Sequence, residues 1–255
     1  MSDTTRDRSI RIEAMRYHPD TDSAPHLQTY EVPFRDDMSV LQGLQYIKDH
    51  LDGSLTFRWS CRMAICGSCG MMINGVPQLA CHSFLRDYMP GPVRVEALDH
   101  FPVVHDLVID QTAFLNKLES VKPYLMPATE RALSAGAYNQ TPAQMDKYHA
   151  YSQCINCLLC YAACPQVALR PGFAGPAALA LMHRYNADSR DQGWAARAEA
   201  ASADDGVWGC TYVGECSEVC PQAVDPAHAI NQNKANSALD FFGLRKLLSP
   251  REGAK

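Results

Sequence analysis

Eleven cysteines, none of them in the first sixty residues, fall into three tight groups between Cys61 and Cys220. An odd number of thiols at two- and three-residue spacings fits disulfides poorly, because a secreted framework pairs an even number. In a reducing compartment such groups read as metal ligands, so loops must wrap around them. The 255 residues are enough for one large domain or two smaller ones. A net charge of −5 leaves no basic surplus to neutralise phosphates, which argues against nucleic acid as a partner. No stretch approaches the roughly 20 apolar residues that span a bilayer. The nearest, from Phe173 to Met182, is short and interrupted by Gly175 and Pro176. The first ten residues, MSDTTRDRSI, lack an apolar core, and Asp3 and Asp7 speak against an organellar leader. The reading is a bacterial cytoplasmic protein that docks on a membrane component without crossing it.

The first hundred residues have the pattern of a small α+β unit. Ile10, Ile12 and Ala14 alternate with polar residues, as do the residues from Leu27 to Val32, and the polar HPDTDSAPH joins two expected strands. Leu41, Leu44, Ile47 and Leu51 recur at helical spacing behind Ser39, a candidate cap. After a cysteine-rich loop, residues 71–73, the Asn74-Gly75 turn and residues 76–79 read as a hairpin. Val93 and Val95 suggest one more strand. This order suits a β-grasp domain over residues 1–105. The remainder, 106–255, reads as mainly helical, with helices expected around Leu107 to Leu118, after Pro142, over 177–185 and over 227–238.

Cys61, Cys66 and Cys69 form C-x4-C-x2-C, with Cys81 shortly downstream. That is the plant-type spacing for a [2Fe–2S] cluster. Gly67, Ser68 and Gly70 are small enough to let backbone N–H groups approach the sulfurs. Four cysteines also suit tetrahedral zinc, although zinc sites usually pair two short knuckles. Met63, Met71 and Met72 read as packing.

Cys154, Cys157, Cys160, Cys164 and Pro165 form the bacterial ferredoxin run C-x2-C-x2-C-x3-C-P, whose fourth cysteine ligates the other cluster. Cys210, Cys216, Cys220 and Pro221 align on it, with Val213 where the second cysteine should be. Crossing the fourth cysteines gives Cys154, Cys157, Cys160 and Cys220 to a [4Fe–4S] cluster. Cys164, Cys210 and Cys216 remain, three ligands that suit a [3Fe–4S] cluster. A [4Fe–4S] cluster with an open iron corner is the alternative, disfavoured by reading Val213 as buried.

SCRMAICGSCGMMINGVPQLAC, the ferredoxin run and CTYVGECSEVCP together resemble the iron–sulfur subunit of the succinate dehydrogenase and fumarate reductase family. The resemblance extends over nearly the whole chain, through TPAQMDKYH, GPAALALMHRYNADSRD and VDPAHAI. It implies a plant-type ferredoxin-like domain followed by a bacterial-ferredoxin-like one. It also implies a flavoprotein partner carrying FAD, where fumarate and succinate interconvert, and integral-membrane anchor subunits that help to bind quinone. The chain would then be peripheral, on the cytoplasmic face of the bacterial inner membrane. PQVALRP lacks the tryptophan of ubiquinone-linked relatives, and Thr211 stands where those relatives have histidine. Both point to the bacterial quinol:fumarate reductase branch, with Cys69 keeping a thiolate where some relatives carry aspartate. The resemblance assigns Lys234 to a quinone carbonyl, with menaquinone expected, and sets Thr211 beside it.

Other conspicuous residues read as structural. Arg184, Asp188, Arg190 and Asp191 suggest an ion-paired surface or a subunit contact. Trp59 and Trp208, each two residues before a cysteine, suggest packing that shields the clusters. No phosphate-binding glycine loop or Rossmann fingerprint is present, so a flavin belongs on another chain. The rivals are succinate dehydrogenase, with the same wiring, a free-standing ferredoxin, and a structural zinc protein.

Overall fold

The computed structural model describes residues 8–129 and 131–244. The acidic N-terminal residues Asp3 and Asp7 lie outside them. The chain divides into two compact units, one of Met1–Thr112 with Ile155–Ala163 and the other of Ala113–Cys154 with Cys164–Lys255.

The first unit carries β1 (Ser9–Arg16), β2 (His26–Pro33) and α1 (Val40–Tyr46), the last continuing through a π-helical turn at Ile47–Leu51. β3 (Gly70–Ile73), β4 (Val76–Leu79) and β5 (Val93–Glu96) complete a five-stranded sheet of order β2-β1-β5-β3-β4. β1 pairs parallel with β5 and antiparallel with β2, the mixed arrangement of a β-grasp. Ile10, Ile12 and Ala14 of β1 and Tyr30 and Val32 of β2 are buried, as period-two alternation requires. Ser39 caps α1 in a reciprocal box with Gln42. The 3–4 turn is built on Asn74 (φ 48°) and Gly75 (φ 81°), the left-handed pair that a two-residue hairpin demands.

One expectation for this region fails. Leu41, Leu44 and Ile47 are buried but Leu51 is exposed. The π turn adds a residue per hydrogen-bonded ring, so the helical register slips and Leu51 leaves the apolar face.

Two short strands, β6 (Val103–His105) and β7 (Val108–Ile109), form a separate ribbon that the periodicity did not announce. Leu107 sits in its turn and so outside the expected helix, which runs only over α2 (Thr112–Ser120). Of that helix's apolar set Phe114 is buried, while Leu115 is exposed.

The second unit is helical. α3 (Pro142–Asp146) starts at Pro142 behind a Thr141–Gln144 capping box. α4 (Leu159–Ala162), which belongs to the first unit, is followed by α5 (Pro165–Leu169), α6 (Pro176–Asn186) and α7 (Trp194–Ser202). α8 (Glu215–Glu218) and α9 (Pro226–Phe241) complete it. α6 and α9 bury Leu179, Met182, Ala229 and Ile230.

The charged run after α6 is an interior network and not an ion-paired surface. Asp188 accepts from Arg184 at 3.1 Å and from Arg190 at 2.7 Å, with its own side chain fully covered. Asp191 pairs with Arg197 at 2.7 Å, both buried. Arg197 also donates to the carbonyls of Lys122 and Tyr124 and to Asn186. A single guanidinium thereby ties three chain segments together, which explains why a charge is retained in the core.

Candidate iron–sulfur centres

The first cysteine loop is anchored to the sheet by polar contacts. Arg16 on β1 donates to Asp106 at 3.1 Å, to the Tyr30 hydroxyl at 2.7 Å and to Ser54 at 2.7 Å, and it also pairs with Asp52. Asp106 in turn accepts from the Thr56 amide at 2.8 Å. Hydrogen bonds from Ser54 and Tyr30, with Arg16 beside them, hold the Asp52 carboxyl well below the usual carboxylate range. Residues 52–56 are thus fixed where the chain leaves for Cys61.

Within the loop, backbone amides turn toward sulfur. The N–H groups of Met63, Ile65 and Cys66 donate to Cys61 Sγ, that of Cys61 to Cys66 Sγ and that of Ala64 to Cys81 Sγ, all at 3.3–3.5 Å. Arg62 and Ala64 adopt left-handed backbone (φ 59° and 58°), which is what curls successive amides inward. Such a cage suits thiolates carrying the extra charge of a reduced cluster. Hydrogen bonds from the Ser68 side chain and the Cys61 amide lower the Cys66 thiol to about 6, whereas burial pushes Cys69 up to about 12. The donor set fits a [2Fe–2S] cluster held by Cys61, Cys66, Cys69 and Cys81.

The glycines also serve close packing. A Cβ on Gly67, whose φ is +73°, would lie 2.8 Å from Cys157 Cβ and 2.9 Å from Cys157 Cα. A Cβ on Gly70 would lie 3.0 Å from the Cys157 carbonyl. They let the first cysteine loop lie directly on the second, inside one unit. Gly67→Ala is expected to cost about 2–4 kcal/mol, combining left-handed strain with a clash against backbone. Loss of the [2Fe–2S] visible absorption on purification would report it, and an unchanged spectrum and melting temperature would refute it.

The second and third loops repeat one backbone design. Each first cysteine, Cys154 or Cys210, closes a 3-10 turn. Two residues on, Asn156 (φ 52°) and Tyr212 (φ 62°) are left-handed, and so are Leu158 (φ 69°) and Gly214 (φ 95°) four residues on. A four-residue helix follows, α4 or α8, with Cys160 or Cys216 at its second position. Cys164-Pro165 and Cys220-Pro221 end the two runs. Val213 occupies the place of Cys157 in this repeat.

Cys164, Cys210 and Cys216 line one open cavity, together with Thr211, Tyr212 and Val213. Val213 is 57% exposed, which corrects its reading as a buried residue. It sits between two left-handed residues on a turn that points outward and is not packed in the core. The Tyr212 amide donates to Cys210 Sγ at 3.3 Å. Burial raises the Cys216 thiol to about 11 and raises Cys164 as well. Three sulfurs on one cavity, with valine in the fourth place, fit a [3Fe–4S] cluster. Cys154 and Cys220 pack against a single buried cluster of Tyr151, Ala180, Val224 and Ala229. Cys157 and Cys160 belong to the other unit, on the segment Ile155–Ala163.

Lys234 Nζ donates to the Cys210 carbonyl at 2.7 Å and lies 5.8 Å from the Trp208 ring centre. Trp208 and Trp59 are each about half exposed, each under a cation, Lys234 and Arg62 respectively. Met71 and Met72 are buried as expected, but Met63 is exposed on the loop. Sequence reading did not find the Tyr151 hydroxyl 2.6 Å from His228 Nδ1, because the two residues are far apart in the chain and nothing in VDPAHAI points to a partner for its histidine.

Residues 11–116 match the 2Fe-2S iron-sulfur cluster binding domain family, and residues 150–224 match the 4Fe-4S dicluster domain family. The fumarate reductase iron-sulfur subunit of Mycobacterium tuberculosis is 57% identical over 244 residues, covering 96% of this chain and 98% of the relative. The chain belongs to the fumarate reductase and succinate dehydrogenase iron–sulfur subunit family. The Escherichia coli fumarate reductase iron-sulfur subunit is 56% identical over the same shares. A mitochondrial succinate dehydrogenase [ubiquinone] iron-sulfur subunit of Oryza sativa is 39% identical, over 86% of this chain and 72% of the relative. A chain in the solved Mycobacterium smegmatis Sdh1 complex in the apo form superposes with a TM-score of 0.80 at 26% identity, covering 92% and 97% of the two chains. The family therefore brings together the α+β architecture and the iron–sulfur loops described above.

Proposed function

We propose that this chain is the electron-relay subunit of a membrane-bound quinol:fumarate reductase, passing electrons from menaquinol to the FAD of a flavoprotein subunit, where fumarate becomes succinate. The observation that carries this reading is full-length identity of 56–57% to fumarate reductase iron–sulfur subunits, against 39% to a succinate dehydrogenase subunit. Iron–sulfur clusters supply one-electron steps, which let a two-electron quinol serve a distant flavin. Cys61, Cys66, Cys69 and Cys81 hold the [2Fe–2S] centre in a domain spanning 1–105. Cys154, Cys157, Cys160 and Cys220 hold the [4Fe–4S] centre, and Cys164, Cys210 and Cys216 the [3Fe–4S] centre. Lys234 has one donor committed to the Cys210 carbonyl and others left for a quinone oxygen, with Thr211 lining the adjacent cavity.

Two apolar surfaces support a place within a complex. Trp208, Tyr212 and Val213 are exposed around the third loop, and Phe241 and Phe242 at the end of α9 line a hollow with Trp208. Patches of this kind mark interaction sites, and we assign this one to the membrane anchors. Trp59, Met63 and Ile65, exposed on the first loop, are assigned to the flavoprotein. Among the described residues no helix is long and apolar enough to cross a membrane, so attachment on the cytoplasmic face runs through the anchors.

Low-temperature EPR of the purified complex, oxidised and then reduced, tests the proposal. Three centres are expected, with a [3Fe–4S] signal in the oxidised state and covalent flavin co-purifying. Zinc without acid-labile sulfide, or a monomer with no flavoprotein, would overturn it.

A further inference from the structure

We propose that His228 is a redox-linked proton acceptor for the iron–sulfur centre that Cys154 and Cys220 help to hold, coupled to it through the Tyr151 hydroxyl. The inference rests on the ligand assignment proposed above. Its basis is a buried polar connection that packing alone does not require. The Tyr151 ring is 8% exposed and belongs to the core cluster against which Cys154 and Cys220 pack. Phenylalanine would fill that place equally well. The hydroxyl instead lies 2.6 Å from His228 Nδ1, with the two rings nearly parallel at 9°. His228 is itself exposed on the first turn of α9, and its Nε2 lies 3.2 Å from the Gln232 side-chain nitrogen. One end of the connection touches the core beneath two ligands, and the other reaches water.

Asp225, His183 and Tyr151 are the ionisable groups about His228. Asp225, which caps α9, is exposed, and hydrogen bonds from Ser217 Oγ at 2.6 Å and from the His228 amide at 2.9 Å keep its carboxyl below the usual range. Asp225 is therefore a standing negative charge beside the imidazole. His183 on α6 meets Tyr151 edge-on at 4.8 Å, and burial lowers its pKa, so it stays neutral. Burial also raises Tyr151, which keeps its proton. Histidine is the side chain whose charge changes across the physiological range, and among these groups only His228 is both exposed and joined to the core cluster.

Neutral His228 accepts the Tyr151 O–H at Nδ1. Protonated His228 donates its Nδ1–H to the Tyr151 oxygen, so the hydroxyl dipole reverses inside the core. For the one electron that the complex delivers to the centre, His228 takes one proton from water, and the only covalent bond formed is that N–H. Added negative charge at the centre favours the imidazolium, and the imidazolium favours the reduced centre.

The test is an EPR-monitored redox titration of the intact complex at about pH 6 and about pH 8. Wild type is compared with His228→Gln and with Tyr151→Phe. In wild type, at fixed potential, the reduced-to-oxidised ratio of the [4Fe–4S] centre is expected to fall about threefold or more as pH rises between these values. The other two centres should change less. Both substitutions should retain the signal and flatten its pH dependence, a readout that a purely structural role would not move. A flat wild-type ratio, or full dependence in either variant, overturns the inference and leaves the ligand assignment standing. Absence of the [4Fe–4S] signal in wild type overturns both.

Discussion

Val213→Cys is expected to convert the [3Fe–4S] centre to [4Fe–4S] and to lower its potential by on the order of a few hundred mV, given how widely cluster type spreads potentials. The backbone of the third loop already follows the second through both left-handed positions and into a short helix, so a thiol at 213 arrives where Cys157 stands in the parent motif. Val213 lines the same cavity as Cys164, Cys210 and Cys216. Its exposure means the exchange disturbs no packed neighbour, and a surface change of this size costs within about 0.5 kcal/mol. Quinol-linked fumarate reduction should slow, because electrons must climb to a more reducing centre. An oxidised [3Fe–4S] EPR signal that survives the substitution unchanged would sink the assignment of position 213.

Arg197→Ala carries the largest expected loss of stability. The guanidinium is fully buried and faces Asp191, which is equally covered, while the carbonyls of Lys122 and Tyr124 and the Asn186 side chain also accept from it. Removing it leaves the covered Asp191 carboxylate without its charged partner, held by the Met126 and Gly193 amides, a loss of about 3–5 kcal/mol. Urea unfolding followed by circular dichroism should show the drop. Pairing it with Asp191→Leu should recover part of the loss, because the stranded charge is then gone. A single-variant loss below about 1 kcal/mol would mean that water reaches this network.

Much of the metal-binding design was legible because ligand spacing is a local property. The C-x4-C-x2-C run, the ferredoxin run and the valine at 213 are all read within about a dozen residues of chain. Short-range signals also carried the Ser39 cap, the helix start at Pro142 and the Asn74-Gly75 hairpin. What escaped depends on distance or on register. Leu51 leaves the core because a π turn shifts the helical phase, which no apolar spacing announces. Arg197 looks like an ordinary charged residue in an alanine-rich helix until Asp191 and the carbonyls of 122 and 124 close around it. Val213 was placed correctly by alignment and wrongly by burial, since a hydrophobic residue near ligands suggests a packed interior whereas the loop turns outward. The return of residues 155–163 to the first unit was equally invisible, because a ferredoxin motif reads as one block.

That return has a consequence in time. The loop holding Cys61 to Cys69 rests, through Gly67 and Gly70, on a segment that leaves the ribosome only after residues 113–154 have been made. Counted from Cys69 to residues 155–163, at elongation speeds of about 5–20 residues per second, the interval is roughly 4–19 s. For that period the nascent chain presents its first thiols without the strand that later covers them. Scaffold proteins delivering iron and sulfide would meet the loop before Gly67 and Gly70 seat on residues 155–163 and a seated one afterwards, so the early window is the natural moment for loading the first centre.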